Sequence, residues 1–230
     1  MVLEVLEVPE VRGVRGVLVL AATPLESSRL QSANLVVTGV GAVNTAHGLA
    51  QYLAKNPRPS LVIQTGIAGA YVPANIPVGS VLLADTEIYG DIGVMLDDGW
   101  RPMEEIGIPL VEANGSRKAR FNYFPLDAAL VKRASEAAGP LVARTGKFLT
   151  LSQVTGVRTL GDSLHERFGA LCETMEGAAA AHVCALHDVP FLEVRGISNL
   201  VENRDRSKWK ISEAADAAQS VVLKLLSSLV

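Results

Sequence analysis

Six short apolar runs punctuate the chain: GVLVLAA (16–22), NLVVTGV (34–40), SLVIQTG (60–66), GSVLLADTEI (79–88), GKFLTLS (146–152) and PFLEVRGIS (190–198). Their aliphatic and β-branched content predicts strands. Several lack polar alternation, which is the pattern of strands covered on both faces. A different rhythm fills the segments between them. Ala42, Val43, Ala46, Leu49, Ala50 and Leu53 recur at helical spacing. Ile211, Ala214, Ala215, Ala218, Val221, Val222, Leu225 and Leu226 do the same near the end of the sequence. Strands alternating with helices predict an α/β fold: a single three-layer α/β/α domain over residues 1–230, with a mixed, mostly parallel central sheet. Ligands of such sheets sit beyond the carboxyl ends of the strands, so candidate chemistry is sought there.

Composition narrows the class. Half of the 230 residues are hydrophobic and a fifth are charged, enough for a sizeable core and a solvated surface. The formal net charge is −3 with no basic run, which gives nucleic-acid binding little electrostatic support. Glu4, Glu7, Glu10, Arg12 and Arg15 interrupt the first apolar stretch, so it reads as neither signal peptide nor membrane span. Cys172 and Cys184 fit a reduced compartment better than a disulfide framework. The expected location is the cytoplasm.

Polar residues cluster where strands end. TGVGAVNTA (38–46) places Gly39 and Gly41 between a strand and a helix. Asn44 replaces a third glycine and no acid follows at the next strand end, which disfavours a dinucleotide site and leaves a tight turn with free amides. QTGIAGAYVP (64–73) reads as a second glycine turn, with or without a ligand. Glu26 follows the first strand and Glu176 opens an alanine-rich helix. Either serves as a dipole complement; alternatively, Glu26 activates a water and Glu176 accepts from a ribose diol. His182 and His187 are five apart and do not share a helix face, so no metal and no cofactor are expected. Asn199 is compatible with an Asx-type turn or with base recognition.

In their order along the chain, Glu26, TGVGAVNTA, TGIAGA, TMEGAAAAHVC and VRGISN resemble the nucleoside phosphorylase/nucleosidase family, in particular its hydrolytic methylthioadenosine/adenosylhomocysteine nucleosidases. The resemblance covers most of the chain. It implies a nucleoside phosphorylase-like fold, a nucleoside and water as reactants, and a homodimer or larger assembly. Glu26 matches the acid that deprotonates water, and Met175 and Glu176 match the ribose-binding pair. Val154 and Thr155 match the segment whose backbone meets the purine, and Trp209 an aromatic near the nucleoside. Ser198 and Asn199 match a serine–aspartate pair. Ile67 stands where the family has a small hydroxyl residue, and the 26–34 segment is too short for a second hairpin.

Asn199 changes the expected substrate. An acid matches adenine by donating to N7 and accepting from the 6-amino group. A 6-oxopurine presents a carbonyl instead, to which an amide donates and a carboxylate does not. Hydrolysis of a 6-oxopurine nucleoside is therefore expected, with an adenine nucleosidase or a purine nucleoside phosphorylase as alternatives. Glu26 near the nucleophile position favours water over phosphate, although Arg29 lies one turn further on. Segments 89–109 and 116–124 are candidates for the pocket of the 5′ arm, an aryl carboxylate in the substrate type expected. Arg101, Arg117 and Arg120 are candidate partners for it.

Overall fold

The computed structural model describes residues 16–115 and 118–228. Arg117 and the charges that interrupt the N-terminal stretch lie outside them. The main sheet is built on β1 (Val17–Ala21), β2 (Leu35–Val37), β3 (Leu61–Tyr71), β4 (Val81–Tyr89), β7 (Tyr123–Pro125), β8 (Arg144–Thr150), β9 (Cys172–Thr174) and β10 (Phe191–Val201). A hairpin, β5 (Gly93–Leu96) and β6 (Gly99–Pro102), stands apart from it. Helices are α1 (Ala42–Lys55), α2 (Met103–Ile106), α3 (Ala128–Ala138), α4 (Arg158–Phe168), α5 (Gly177–Leu186) and α6 (Ile211–Ser228).

The sheet is mixed. β1–β2, β1–β3, β3–β10, β4–β8 and β8–β9 run parallel, whereas β4–β10, β3–β9 and β4–β7 run antiparallel. Layering follows from residue alternation. Val17 and Val19 of β1 pack in one cluster with Val131 of α3 and Val221, Val222 and Leu225 of α6. Leu18 and Leu20 join the opposite cluster with Leu49 of α1 and Ala178, Val183 and Cys184 of α5.

The expected three-layer arrangement is modified at one end. β3 and β10 are each eleven residues long, enough to pair with different partners along their length. Residues 61–65 of β3 pair with β1, while Gly69 and Ala70 pair with β9. The ring β3–β10–β4–β8–β9 thereby closes on itself like a small barrel. Register shifts in β10 between Ile197 and Asn199, and in β4 between Ala84 and Thr86, mark bulges that bend the strands.

Two sequence expectations are corrected here. Residues 64–71 form no glycine turn; they continue β3. Ser198 and Asn199 lie within β10 beside the bulge, not in an Asx turn beyond its end. In both cases pairing with a long neighbour carries the strand past its polar residues, a tertiary effect that local propensity does not register. The short segment after Glu26 leads directly into β2, which runs parallel to β1 with Val19 opposite Leu35.

Candidate active site

The carboxyl ends of β1, β3 and β10, the junction of β9 with α5 and the start of α1 bring five chain segments together. Glu26 sits in a single turn of 3-10 helix (Leu25–Ser27) directly after β1 and is buried. Its Oε2 accepts from the Thr23 hydroxyl at 2.8 Å and its Oε1 from the Ile67 N–H at 3.0 Å. A Cβ on Gly66 would fall 2.5 Å from Glu26 Oε1 and 2.6 Å from Arg195 Nη1, so only glycine lets both groups approach the strand.

Glu176 is the N-cap residue of α5, but its carboxylate does not cap that helix. Oε1 accepts from the Gly41 N–H at 2.9 Å and Oε2 from Arg195 Nη2 at 3.1 Å. Gly39 and Gly41 both have φ near +90°, the left-handed turn that aims the Gly41 amide into the site before α1 begins. The free amides expected of that turn therefore meet the protein's own carboxylate.

Sequence reading missed Arg195. This side chain is 1% exposed and organises the site. Nε donates to Glu193 at 2.6 Å, Nη1 to the Ile67 carbonyl at 3.1 Å and Nη2 to Glu176. Burial alone would lower its pKa; the negative charges of Glu193, Glu176 and Glu26 outweigh this and raise it. Glu193 and Glu87 are fully buried below it. Burial and the neighbouring Glu193 raise the pKa of Glu87 well above the usual carboxylate value, with the charge of Arg195 opposing. Glu193 is also raised by burial, with Arg195 opposing. A Cβ on Gly177 would collide with both carboxyl groups, which explains the glycine that opens α5. A charged pair two residues apart on one strand, as in E-V-R, was the available sequence signal.

A second group lies across β3. Asn199 of β10 and Glu173 of β9 both pair with Gly69. A Cβ there would meet Val201 Cγ2 at 3.0 Å, Asn199 Nδ2 at 3.2 Å and Glu173 Cγ at 3.7 Å. Asn199 Oδ1 accepts from the Ser198 hydroxyl at 2.8 Å and Nδ2 donates to the Leu200 carbonyl at 3.0 Å. These two bonds fix the amide orientation, because a carbonyl must face a nitrogen. Glu173 Oε1 accepts from the Thr155 N–H at 2.7 Å and Oε2 from the Tyr71 hydroxyl at 3.2 Å. Burial raises the Glu173 pKa, while Thr155, Tyr71 and the charge of Arg204 pull it back.

The remaining expected residues frame these groups. Ile67 is half-buried and contributes its backbone to both Glu26 and Arg195. Val154 and Thr155 are half-buried in the loop after β8, with the Thr155 N–H turned to Glu173. Met175 is half-buried at the β9–α5 junction. Trp209 is half-buried, with Arg204 stacked 4.9 Å above its ring, and the neighbouring Lys210 N–H bonds the Ser198 carbonyl. Arg29 points away and donates to the Asp216 carbonyl and Ser220 on α6. Arg101 is held by Asp98 and Glu105, and Arg120 donates to the Pro125 carbonyl. Arg120 lines a cavity of about 430 Å³ with Phe124 and Ala181, to which none of the clustered site residues contributes. His182 bonds the Leu110 carbonyl and Tyr89, a structural role.

A sheet of this topology, closed around buried carboxylates at its strand ends, defines a class. Residues 12–227 match the model of the phosphorylase superfamily, and the chain belongs to that family. Within it, the chain is 40% identical over 197 residues to a futalosine hydrolase of Streptomyces coelicolor, covering 84% of this chain and 77% of that protein. It is 37% identical over 190 residues to the futalosine hydrolase of Thermus thermophilus, covering 83% and 79%. A 5′-methylthioadenosine/S-adenosylhomocysteine nucleosidase of Mycobacterium tuberculosis is 31% identical over 216 residues, covering 85% and 81%. Among solved structures, the corresponding nucleosidase of S. pneumoniae with a transition-state inhibitor superposes with a TM-score of 0.76 at 24% identity. That match covers 93% of this chain and 99% of the other.

Proposed function

We propose that this protein hydrolyses the N-glycosidic bond of futalosine, releasing hypoxanthine and leaving dehypoxanthine futalosine, a step of menaquinone biosynthesis. The observation that carries the choice of base is Asn199, whose amide nitrogen lies beside the side-chain-free face of Gly69, its oxygen being bonded by the Ser198 hydroxyl. That edge offers a donor to the 6-oxo group.

In this reading Glu26 is the general base. Ile67 and Thr23 fix the carboxylate, and each oxygen keeps a lone pair for a water. The water oxygen bonds to C1′ as the C1′–N9 bond breaks. Glu26 takes the proton, and the bonding pair leaves with the purine. Asn199 stabilises the charge that builds on O6, and solvent protonates the released base. Glu176, held by Arg195 and the Gly41 amide, accepts from the ribose diol beside Met175. Val154, Thr155 and Trp209 border the base. Phosphate is disfavoured because Glu26 occupies the nucleophile side, Arg195 is already paired with two carboxylates and the Arg29 side chain is bonded to Asp216 and Ser220 of α6.

Assembly belongs to the same proposal. Val37, Val40 and Val43 are exposed beside Gly41, as are Met95, Leu96 and Ile108 on and after the hairpin. A homodimer or larger would cover these apolar side chains. No helix among the described residues is long and apolar enough to cross a membrane, and both cysteines are free and buried, which supports a cytoplasmic location.

The test is a panel of futalosine, inosine and methylthioadenosine with and without phosphate. Hypoxanthine release from futalosine without phosphate is the expected result. Preferential adenine release, or a requirement for phosphate, would replace this reading with one of the two alternatives.

A further inference from the structure

Two polar side chains, Asn199 and Glu173, flank Gly69, and the proposed mechanism uses one of them. Asn199 and Glu173 flank the same glycine on opposite neighbouring strands, so their side chains project from the same face. Gly69 has no side chain of its own on that face; a Cβ there would meet Val201 Cγ2 at 3.0 Å, Asn199 Nδ2 at 3.2 Å and Glu173 Cγ at 3.7 Å. The arrangement is an amide donor on one side of the glycine and a carboxylate on the other, with Val201 beside them.

The loop after β8 was expected to present its backbone to the purine. Its Thr155 N–H bonds Glu173 Oε1. Glu173 therefore converts a backbone donor into a side-chain acceptor and reverses the polarity of that side. A carboxylate is a costly way to satisfy one amide and one hydroxyl. It is almost fully buried, and among the described residues no ion pair neutralises it. The Tyr71 hydroxyl and the Thr155 amide each leave a lone pair on the oxygen they bind.

We propose that Glu173 is a specificity-determining residue that accepts the N1–H of a 6-oxopurine while Asn199 donates to O6. This rests on the futalosine reading above and deepens it. Along its edge a 6-oxopurine presents an acceptor at position 6 and a donor at N1, which complement the two side chains in order. A 6-aminopurine presents a donor and then an acceptor. It would meet the Asn199 amide with its amine and the Glu173 carboxylate with the N1 lone pair, a mismatch at both places. Discrimination by unpaired polar groups is strong where they are buried, as Glu173 is, and Asn199 is half-buried beside it. An amide at Asn199 alone is a weaker filter, since giving up its bonds to Ser198 and Leu200 would let it present its oxygen to an amine; a carboxylate has no donor to rotate into place.

The experiment compares kcat/KM for futalosine and its 6-amino counterpart in the wild type and in Glu173→Gln. Glutamine keeps an oxygen for the Thr155 amide and offers an NH2 toward N1. The expected result is a fall in the 6-oxo/6-amino ratio of about tenfold to a hundredfold, the effect of one exchanged buried polar contact. A ratio within twofold of the wild type, with both activities reduced alike, would mean that Glu173 only supports the Thr155 loop, and it would overturn the proposal. Should the variant not fold, inhibition of the wild type decides. Hypoxanthine should inhibit at least tenfold more strongly than 6-methoxypurine, which keeps an oxygen at position 6 but has no N1–H. Equal inhibition refutes the contact. A wild type that releases no hypoxanthine from futalosine refutes the functional reading itself and this inference with it. Release of hypoxanthine with an unmoved ratio refutes this inference alone.

Discussion

Replacing Arg195 with methionine tests the electrostatic frame of the site. The side chain is 1% exposed and makes bonds of 2.6 Å to Glu193, 3.1 Å to Glu176 and 3.1 Å to the Ile67 carbonyl. Methionine fills comparable volume without a charge, so Glu193 and Glu176 are left buried and uncompensated. Breaking a buried ion pair from one side costs about 3–5 kcal/mol. Against a total stability of roughly 5–15 kcal/mol, that is a large share. For a chain of this size about 2–4 °C of Tm follows each kcal/mol, which gives a loss of about 6–20 °C. The pH dependence carries a sign. Arg195 lowers the pKa of Glu193, so its removal raises that pKa further in the folded state. A raised folded-state pKa gives stability that is present below the unfolded value and lost as pH rises through the folded value. The deficit should therefore widen between pH 5 and pH 8, and adding Glu193→Gln should narrow it. Thermal unfolding followed by circular dichroism at both pH values is sufficient. A Tm loss under 2 °C at pH 8, or a larger deficit at pH 5, would refute the reasoning.

Glu26→Gln should reduce hydrolysis about 100- to 10,000-fold while nucleoside binding, measured by calorimetry, stays close to that of the wild type; retained turnover would remove Glu26 from the mechanism. Asn199→Asp should lower futalosine turnover about tenfold to a hundredfold, because a carboxylate then faces O6, with at most a small gain on the 6-amino counterpart; steady-state kinetics on both substrates reads it. Glu87→Gln offers a donor beside Glu193 but cannot ionise. Burial and Glu193 raise the Glu87 pKa, so wild-type stability should fall as pH rises through it. The variant should match the wild type in acid and exceed it in alkali, as urea midpoints across pH 5–9 would show; parallel pH curves would place the proton elsewhere.

Hydrophobic runs and spacing in the sequence marked β1, β2, β3, β4, β8 and β10, together with α1 and α6, while alanine content marked α5. α4, RTLGDSLHERF, was not legible, since it is largely polar and buries only Gly161, Leu164 and Phe168. β9 was not legible either: three residues carry no period, and its place is set by pairing with β3 and β8. α3 did have a signal in Asp127, which caps it by accepting from the Leu130 N–H, and in the Gly139 that ends it.

The candidate site divides along the same line. Glu26, Glu176, Ser198 and Asn199 stood out by themselves, because a polar side chain at the end of an apolar run is a local anomaly in the sequence. Residue types and order thus determined the strands, the family likeness and the carboxylates to examine. What those groups touch was decided by tertiary structure alone. Arg195 looks like an ordinary charge until β3, β10 and α5 converge and leave it buried among Glu193, Glu176 and the Ile67 carbonyl. Glu173 looks like a surface acid until the sheet closes and places it across Gly69 from Asn199. Pairings between residues 19, 104, 128 or 130 positions apart in the chain depend on the register of strands that are distant in sequence, and no local pattern encodes that register.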